Sequence, residues 1–326
     1  MITLDARNFL PPLGKNLQIQ HQQPQRKLKP TTTRRKLAIL STIGVPATLL
    51  FGLTSVARCE QVRLEDVDNP KLREAIRAAV SGDFDYAEAL FSELLSEDDT
   101  NASVWSNRGN VRVSLKKYQQ ALEDYTKAVI LAPGAPVPLL NRAIANEALG
   151  NYGDAIADCE AAIKIDPREY AAWYNLGNVD VRVKNYAAAA SAYERAATLA
   201  PGIAGYRFKQ ALVLFQLDQV QAAKKLLQGL VRKYPNYAEA HAALAALLWK
   251  EGNRSQAEDQ FNQAGVQNPN FSDARWISSS LEWPPAVVDA MDKFLEININ
   301  RARATWSGGG ACGVDGVDEG DGDEGQ

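Results

Sequence analysis

Residues 102–135, ASVWSNRGNVRVSLKKYQQALEDYTKAVILAPGA, decide the fold. Val104–Leu115 carries apolar residues at helical spacing, and Tyr118–Leu131 does so again. Lys116-Lys117 separates the two runs, and Pro133 closes the second. Proline cannot continue a helix and disfavours helical geometry in the residue before it. The block therefore predicts a helix, a turn and a second helix.

Outward from this block the same pattern recurs at a fixed interval of 34 residues. Pro133, Pro167, Pro201, Pro235 and Pro269 mark it, and so do Ala87, Ala121, Ala155, Ala189, Ala223 and Ala257. A third set is always small: Ala75, Gly109, Ala143, Gly177, Ala211 and Ala245. A fourth is mostly large: Phe91, Tyr125, Cys159, Tyr193, Leu227 and Phe261. A fifth is apolar: Leu94, Ala128, Ala162, Ala196, Leu230 and Ala264. Six units fit without insertion: 68–101, 102–135, 136–169, 170–203, 204–237 and 238–271.

Small residues facing each other let two helix axes approach to about 8–10 Å. The large residue four places after the repeating alanine lies on the same helix face and fills the gap to the next unit. Turns between the paired helices carry Gly82, Gly150 or Gly252 where glycine is used. No unit can bury its apolar face alone, so the stack is the fold.

This pattern resembles the tetratricopeptide repeat family. Trp105, Gly109, Tyr118, Ala121, Tyr125, Ala128 and Pro133 carry the likeness in one unit. Trp173, Leu176, Gly177, Tyr186, Ala189, Tyr193, Ala196 and Pro201 carry it in another. Asp99 at the proline position and Arg207 at the tryptophan position depart from it. The resemblance implies an all-α, right-handed superhelix with a concave groove lined by the first helices. Residues 272–299 are expected to cap it: Ser272–Leu281 as one helix, a break at Trp283-Pro284-Pro285, and Ala286–Ile297 as a second. Val287, Val288, Met291, Phe294 and Leu295 give that second helix an apolar face over the last unit. The competing reading makes Trp276 and Trp283 a docking site.

Chemistry for catalysis is missing from the residue pattern. His241 stands where other units place Trp105 or Trp173, and Cys159 stands at the Tyr125 and Tyr193 position, so both read as packing residues. Three cysteines without a Cys-x-x-Cys spacing exclude a disulfide framework and a thiolate zinc site. Gly308-Gly309-Gly310 lacks the Gly-Lys-Ser/Thr of a phosphate loop. The chain is expected to be no enzyme, with no cofactor, no metal and no small-molecule substrate.

In such repeats the second, fifth, sixth, ninth, twelfth and thirteenth residues of a unit line the groove. The sixth gives Asn107, Asn141 and Asn175, then Lys209; the ninth adds Asn110 and Asn178. An asparagine amide both donates and accepts, so a ladder of them can bond the backbone of an extended peptide. Alternatively these amides bond neighbouring helices or water. Tyr174, Phe208, Phe215 and Trp249 bring aromatic rings to the later units, suiting an apolar or helical partner segment, or else they pack between helices. The chaperone-binding variety uses a two-carboxylate clamp. Asn110 and Asn141 match its asparagines, but Ser106, Ala171 and Asn175 replace its cations.

Residues 1–59 hold nine Lys/Arg and one acid, Asp5, whereas residues 60–326 hold 27 bases and 38 acids. A basic leader on an acidic body argues for targeting and against nucleic-acid binding by the body. Arg34-Arg35 precedes an uncharged stretch, residues 37–57, long enough for a bilayer crossing, which needs about 20 apolar residues. Ser55-Val56-Ala57 resembles a small-residue cleavage site. The order resembles a two-part chloroplast presequence ending in a twin-arginine lumen signal, although residues 1–36 contain no serine. A retained membrane anchor and a mitochondrial route are the alternatives. Residues 307–326, with eight glycines, six acids and no base, are expected to be disordered.

The expected function is a protein-binding scaffold that holds a peptide in its groove and assists a thylakoid complex. The alternatives are a co-chaperone and an RNA-binding helical-repeat protein.

Overall fold

The computed structural model describes residues 69–273, 276–277 and 280–307. The leader, with its candidate span 37–57, and the acidic tail beyond Ser307 lie outside the described residues. Among the described residues no helix is long and apolar enough to cross a membrane.

Twelve helices run in six antiparallel pairs. The first helices are α1 (Pro70–Ser81), α3 (Ala102–Ser114), α5 (Pro136–Leu149), α7 (Tyr170–Arg182), α9 (Ala204–Gln216) and α11 (Ala238–Lys250). The second helices are α2 (Phe84–Glu97), α4 (Tyr118–Leu131), α6 (Tyr152–Ile165), α8 (Tyr186–Leu199), α10 (Val220–Lys233) and α12 (Arg254–Gln267). Each packs on its neighbours in chain order, giving an all-α repeat solenoid. The first helices also meet one another, α3 with α5, α5 with α7 and α9 with α11, which puts them on the inside of the curve. Asp99 and Arg207 leave the register intact: α2 ends 34 residues before α4, and α9 starts 34 residues after α7.

Every repeating alanine, from Ala87 to Ala257, is 0% exposed. The turn between paired helices demands a left-handed residue in every unit. Gly82, Gly150 and Gly252 supply it in three units, at φ between 81° and 87°. Lys116, Lys184 and Asp218 supply it in the other three, at φ between 59° and 62°, against the steric preference of residues with a Cβ.

The unit interior repeats its polar contacts as well. The Trp105 indole N–H donates to the Asp99 carbonyl at 2.7 Å, and that of Trp173 to the Pro167 carbonyl at 3.0 Å. His241 Nε2 reaches the Pro235 carbonyl at 2.9 Å, six residues back as in the tryptophan units. His241 thus does the bonding work of the indole it replaces. Arg108 forks onto buried Asp124, and one unit later Arg142 forks onto buried Asp158. The next unit places Leu176 and Ala192 at those positions, an apolar solution to the same packing problem.

The C-terminal segment departs from the expected cap. Pro269–Ser272 is a 3-10 turn, and α13 spans Pro285–Ser307, ten residues beyond the expected end. It packs against α11 and α9, the inner helices of the last two units, and does not simply continue the stack. Val287, Met291 and Phe294 are fully buried. The Phe294 ring meets Trp249 of α11 and Phe261 of α12 at 5.4 and 4.9 Å. The physical reason is the apolar inner face of the late units. Phe208, Phe215 and Trp249 offer more surface there than the end of α12, where the predominantly polar Arg254–Gln267 leaves little to cover.

Candidate protein-binding groove

The inner face divides into two halves. In the early half, the asparagines expected as an open ladder are buried: Asn107 is 0%, Asn141 1% and Asn175 4% exposed. Close approach of successive first helices encloses them. Asn141 and Asn175 each keep a side-chain amide nitrogen without a hydrogen-bond partner. Asn110 and Asn178 are engaged inside their own units. Each accepts from a tyrosine hydroxyl through Oδ1, Tyr125 at 2.7 Å and Tyr193 at 2.8 Å. The expectation of an amide ladder holding a peptide backbone is corrected accordingly: Asn110 and Asn178 bond the second helix of their own unit, the alternative the sequence left open, and Asn107, Asn141 and Asn175 are buried away from a groove ligand.

The late half is a receiving surface, and it is occupied. Phe208 and Phe215 are buried, and Trp249 is half-buried. Residues 282–294 of the chain's own C-terminal segment cover them. Trp283 stands edge-on to Phe208 at 6.3 Å and also meets Phe271. The backbone N–H of Ala286 donates to Oε1 of Gln216 at 2.8 Å. Arg182, at the end of α7, pairs with Glu282 on one side and Glu147 on the other. Tyr174 is half-buried, its ring 4.7 Å from Tyr206 and 5.8 Å from Tyr193. The aromatic residues named from sequence are thus brought together by α9, α11 and the C-terminal segment, with Tyr174 in the adjoining cluster.

A cluster of charges lies beside this contact. Burial pushes the Glu239 carboxyl up to about 7, with Lys209 opposing. Burial pushes the Lys209 ammonium down, with Glu282 and Glu239 opposing. Burial likewise raises Glu147, with Arg182 opposing. Lys209 is half-buried, and among the described residues it makes no hydrogen bond or ion pair. Removing a charge from water is unfavourable unless an opposite charge replaces the water, which explains all three directions.

Sequence reasoning missed Glu147, Arg182, Gln216, Glu239 and Glu282. The first four carried a signal, since they occupy the twelfth, thirteenth, thirteenth and second places of their units, all groove positions. Glu282 lies beyond the repeat and has no register to index it. Elsewhere, burial pushes the Cys159 thiol up and keeps it protonated, and the residue sits at the packing position its register indicates.

Models of the family described as "Tetratricopeptide repeat" match residues 102–134, 140–202 and 214–278. The chain contains tetratricopeptide repeats. Such repeats point to protein–protein interaction. Among curated relatives, the chain is 37% identical to the heat-shock protein cognate co-chaperone sgt12 of Aspergillus fumigatus. That match covers 27% of this chain and 26% of sgt12. The chain therefore spans about a quarter of that relative's length. A tetratricopeptide repeat protein from Parabacteroides merdae superposes with a TM-score of 0.54 at 17% identity, over 72% of this chain and 88% of that one. Pseudomonas aeruginosa pilF does so with a TM-score of 0.54 at 18% identity, over 61% and 90%. At those identities the likeness is one of fold.

Proposed function

We propose that the chain is a non-catalytic scaffold that holds a partner segment on its inner face, centred on units four to six. One observation carries this reading: residues 282–294, which belong to no repeat, already lie on that face against Arg182, Phe208, Gln216 and Trp249. Ring edges, a side-chain amide bonding a backbone N–H and an ion pair are the contacts by which grooves take up peptide segments. A selection of random peptides against the full chain tests it. Enriched peptides should lose at least about tenfold in affinity, or about 1.4 kcal/mol, on Arg182→Glu. Enrichment of no sequence, or binding indifferent to Arg182, would refute the reading.

A co-chaperone role is the second reading, favoured by the similarity to sgt12. Ser106, Ala171 and Asn175 at the cation positions of a carboxylate clamp oppose it. Titration with a peptide ending in Glu-Glu-Val-Asp decides: millimolar or weaker binding excludes that role. Delivery to the thylakoid and help to a complex there are proposed from the leader alone. Import into isolated chloroplasts, with N-terminal sequencing of the product, tests the delivery.

A further inference from the structure

The segment lodged on the inner face shows what that face selects. We propose that units four to six form a recognition site for a segment in which a carboxylate directly precedes a bulky aromatic residue. In this proposal Glu282-Trp283 of the chain itself is the resident occupant that a partner displaces. The inference rests on the groove reading above and adds its chemistry and its regulation.

Two inner helices contribute three contacts. Arg182 from α7 takes the carboxylate of Glu282. Phe208 from α9 takes the edge of the Trp283 ring. Gln216, at the end of α9, fixes the backbone three residues later through the Ala286 N–H. Adjacent residues of one short segment thus meet a cation, an aromatic wall and a backbone acceptor in order.

The contacts divide into an anchor and a replaceable tip. Val287, Met291 and Phe294 are fully buried and hold α13 in place. The Arg182–Glu282 pair has both side chains about one-third exposed, at 36% and 35%, and ion pairs of that exposure contribute little to stability. Pro284 and Pro285 separate tip from anchor, and proline prevents helix α13 from extending back into the tip. Trp283, 9% exposed and packed on Phe208 and Phe271, is the part of the tip that a partner's aromatic ring has to replace.

Lys209 gives an incoming segment its advantage. Glu282 pairs directly with Arg182, while Lys209, which feels Glu282 and Glu239 only at longer range, makes no ion pair among the described residues. A partner with a second acidic residue near the first gives Lys209 a direct ion pair, which the resident sequence does not. Oppositely charged partners also gain in association rate, and the effect weakens with salt.

The test uses the full chain and a fluorescein-labelled peptide of residues 279–287, read by fluorescence anisotropy. The chain is compared with its Glu282→Gln/Trp283→Ala variant, in which the resident tip is weakened. Apparent affinity scales with the fraction of chains whose site is open, so the variant should bind the peptide about tenfold tighter. A control peptide carrying Gln and Ala in place of Glu and Trp should not bind. Adding Arg182→Glu to the variant should abolish binding. Equal affinity of wild type and variant, or equal affinity of the two peptides, would overturn the proposal. Should the double variant lose its helical circular dichroism, Glu282→Gln alone supports the same comparison, with a gain of about threefold expected. If the random-peptide selection yields groove ligands without acidic-aromatic pairs, this inference fails and peptide binding stands; if it yields none, both fail.

Discussion

Gly109 lies so close to Tyr125 that a Cβ on it would stand 2.6 Å from the ring's Cε1 atom. Two units later Gly177 and Tyr193 repeat the relationship at 2.7 Å. Where the small residue is alanine, its partner is Phe91, Cys159, Leu227 or Phe261, so glycine accompanies tyrosine alone. The ring has no room to withdraw, because its hydroxyl is tied to Asn110. Gly109→Ala should therefore overpack the unit and cost about 1–3 kcal/mol. Combined with Tyr125→Cys, the pair that unit three uses with Ala143 and Cys159, it should cost less than the two changes summed. Thermal unfolding of the two single variants and the double variant measures this.

Lys184 adopts φ +62° at a turn where three other units use glycine. Left-handed geometry costs a residue with a Cβ about 1–2 kcal/mol, so Lys184→Gly should stabilise the protein by about 1 kcal/mol. The side chain is exposed, so no packing is lost. An unchanged or lowered midpoint in urea would contradict this.

Arg142 and Asp158 form a forked pair in which the carboxylate is nearly inaccessible. Asp158→Ala alone should destabilise by about 2 kcal/mol, since it strands a half-buried guanidinium and Asn146, whose amide also reaches Asp158. Arg142→Leu with Asp158→Ala copies the Leu176 and Ala192 of the next unit. It should recover much of the loss, because a well-packed apolar pair replaces a buried ion pair at little cost. A double-mutant cycle by chemical denaturation gives the answer.

Glu239 gives stability a pH dependence with a defined sign. Its carboxyl is raised to about 7 in the folded chain from 4.5, so the folded state holds the proton more tightly. The contribution is fully present below about pH 4.5 and is lost as pH rises through about 7. Glu239→Gln should remove this slope, and the variant should gain on wild type between pH 5 and pH 8. Parallel melting curves of the two proteins over that range would show the carboxyl to be unshifted.

Legibility followed the repeat. Ala87 to Ala257, the small set beginning at Ala75, and the place of His241 among the tryptophans could be read because a 34-residue period converts sequence position into spatial position. Asn110 and Asn178 were indexed correctly as ninth residues, yet their amides serve Tyr125 and Tyr193. Register fixes which way a side chain points. It does not fix how near the next helix stands, and that distance separates an accessible amide from a buried one.

The sequence by itself determined the helix pairs and their stacking. Both rest on local periodicity and on residue types that act within one unit or between adjacent units. Only the tertiary structure decided where Glu282, Trp283 and Phe294 go. Their partners Arg182, Phe208 and Trp249 lie 100, 75 and 45 residues away in the chain. No periodicity links a non-repeating segment to such distant positions. The choice is made by which apolar surface remains uncovered once the solenoid has formed, and that surface exists only in the folded stack.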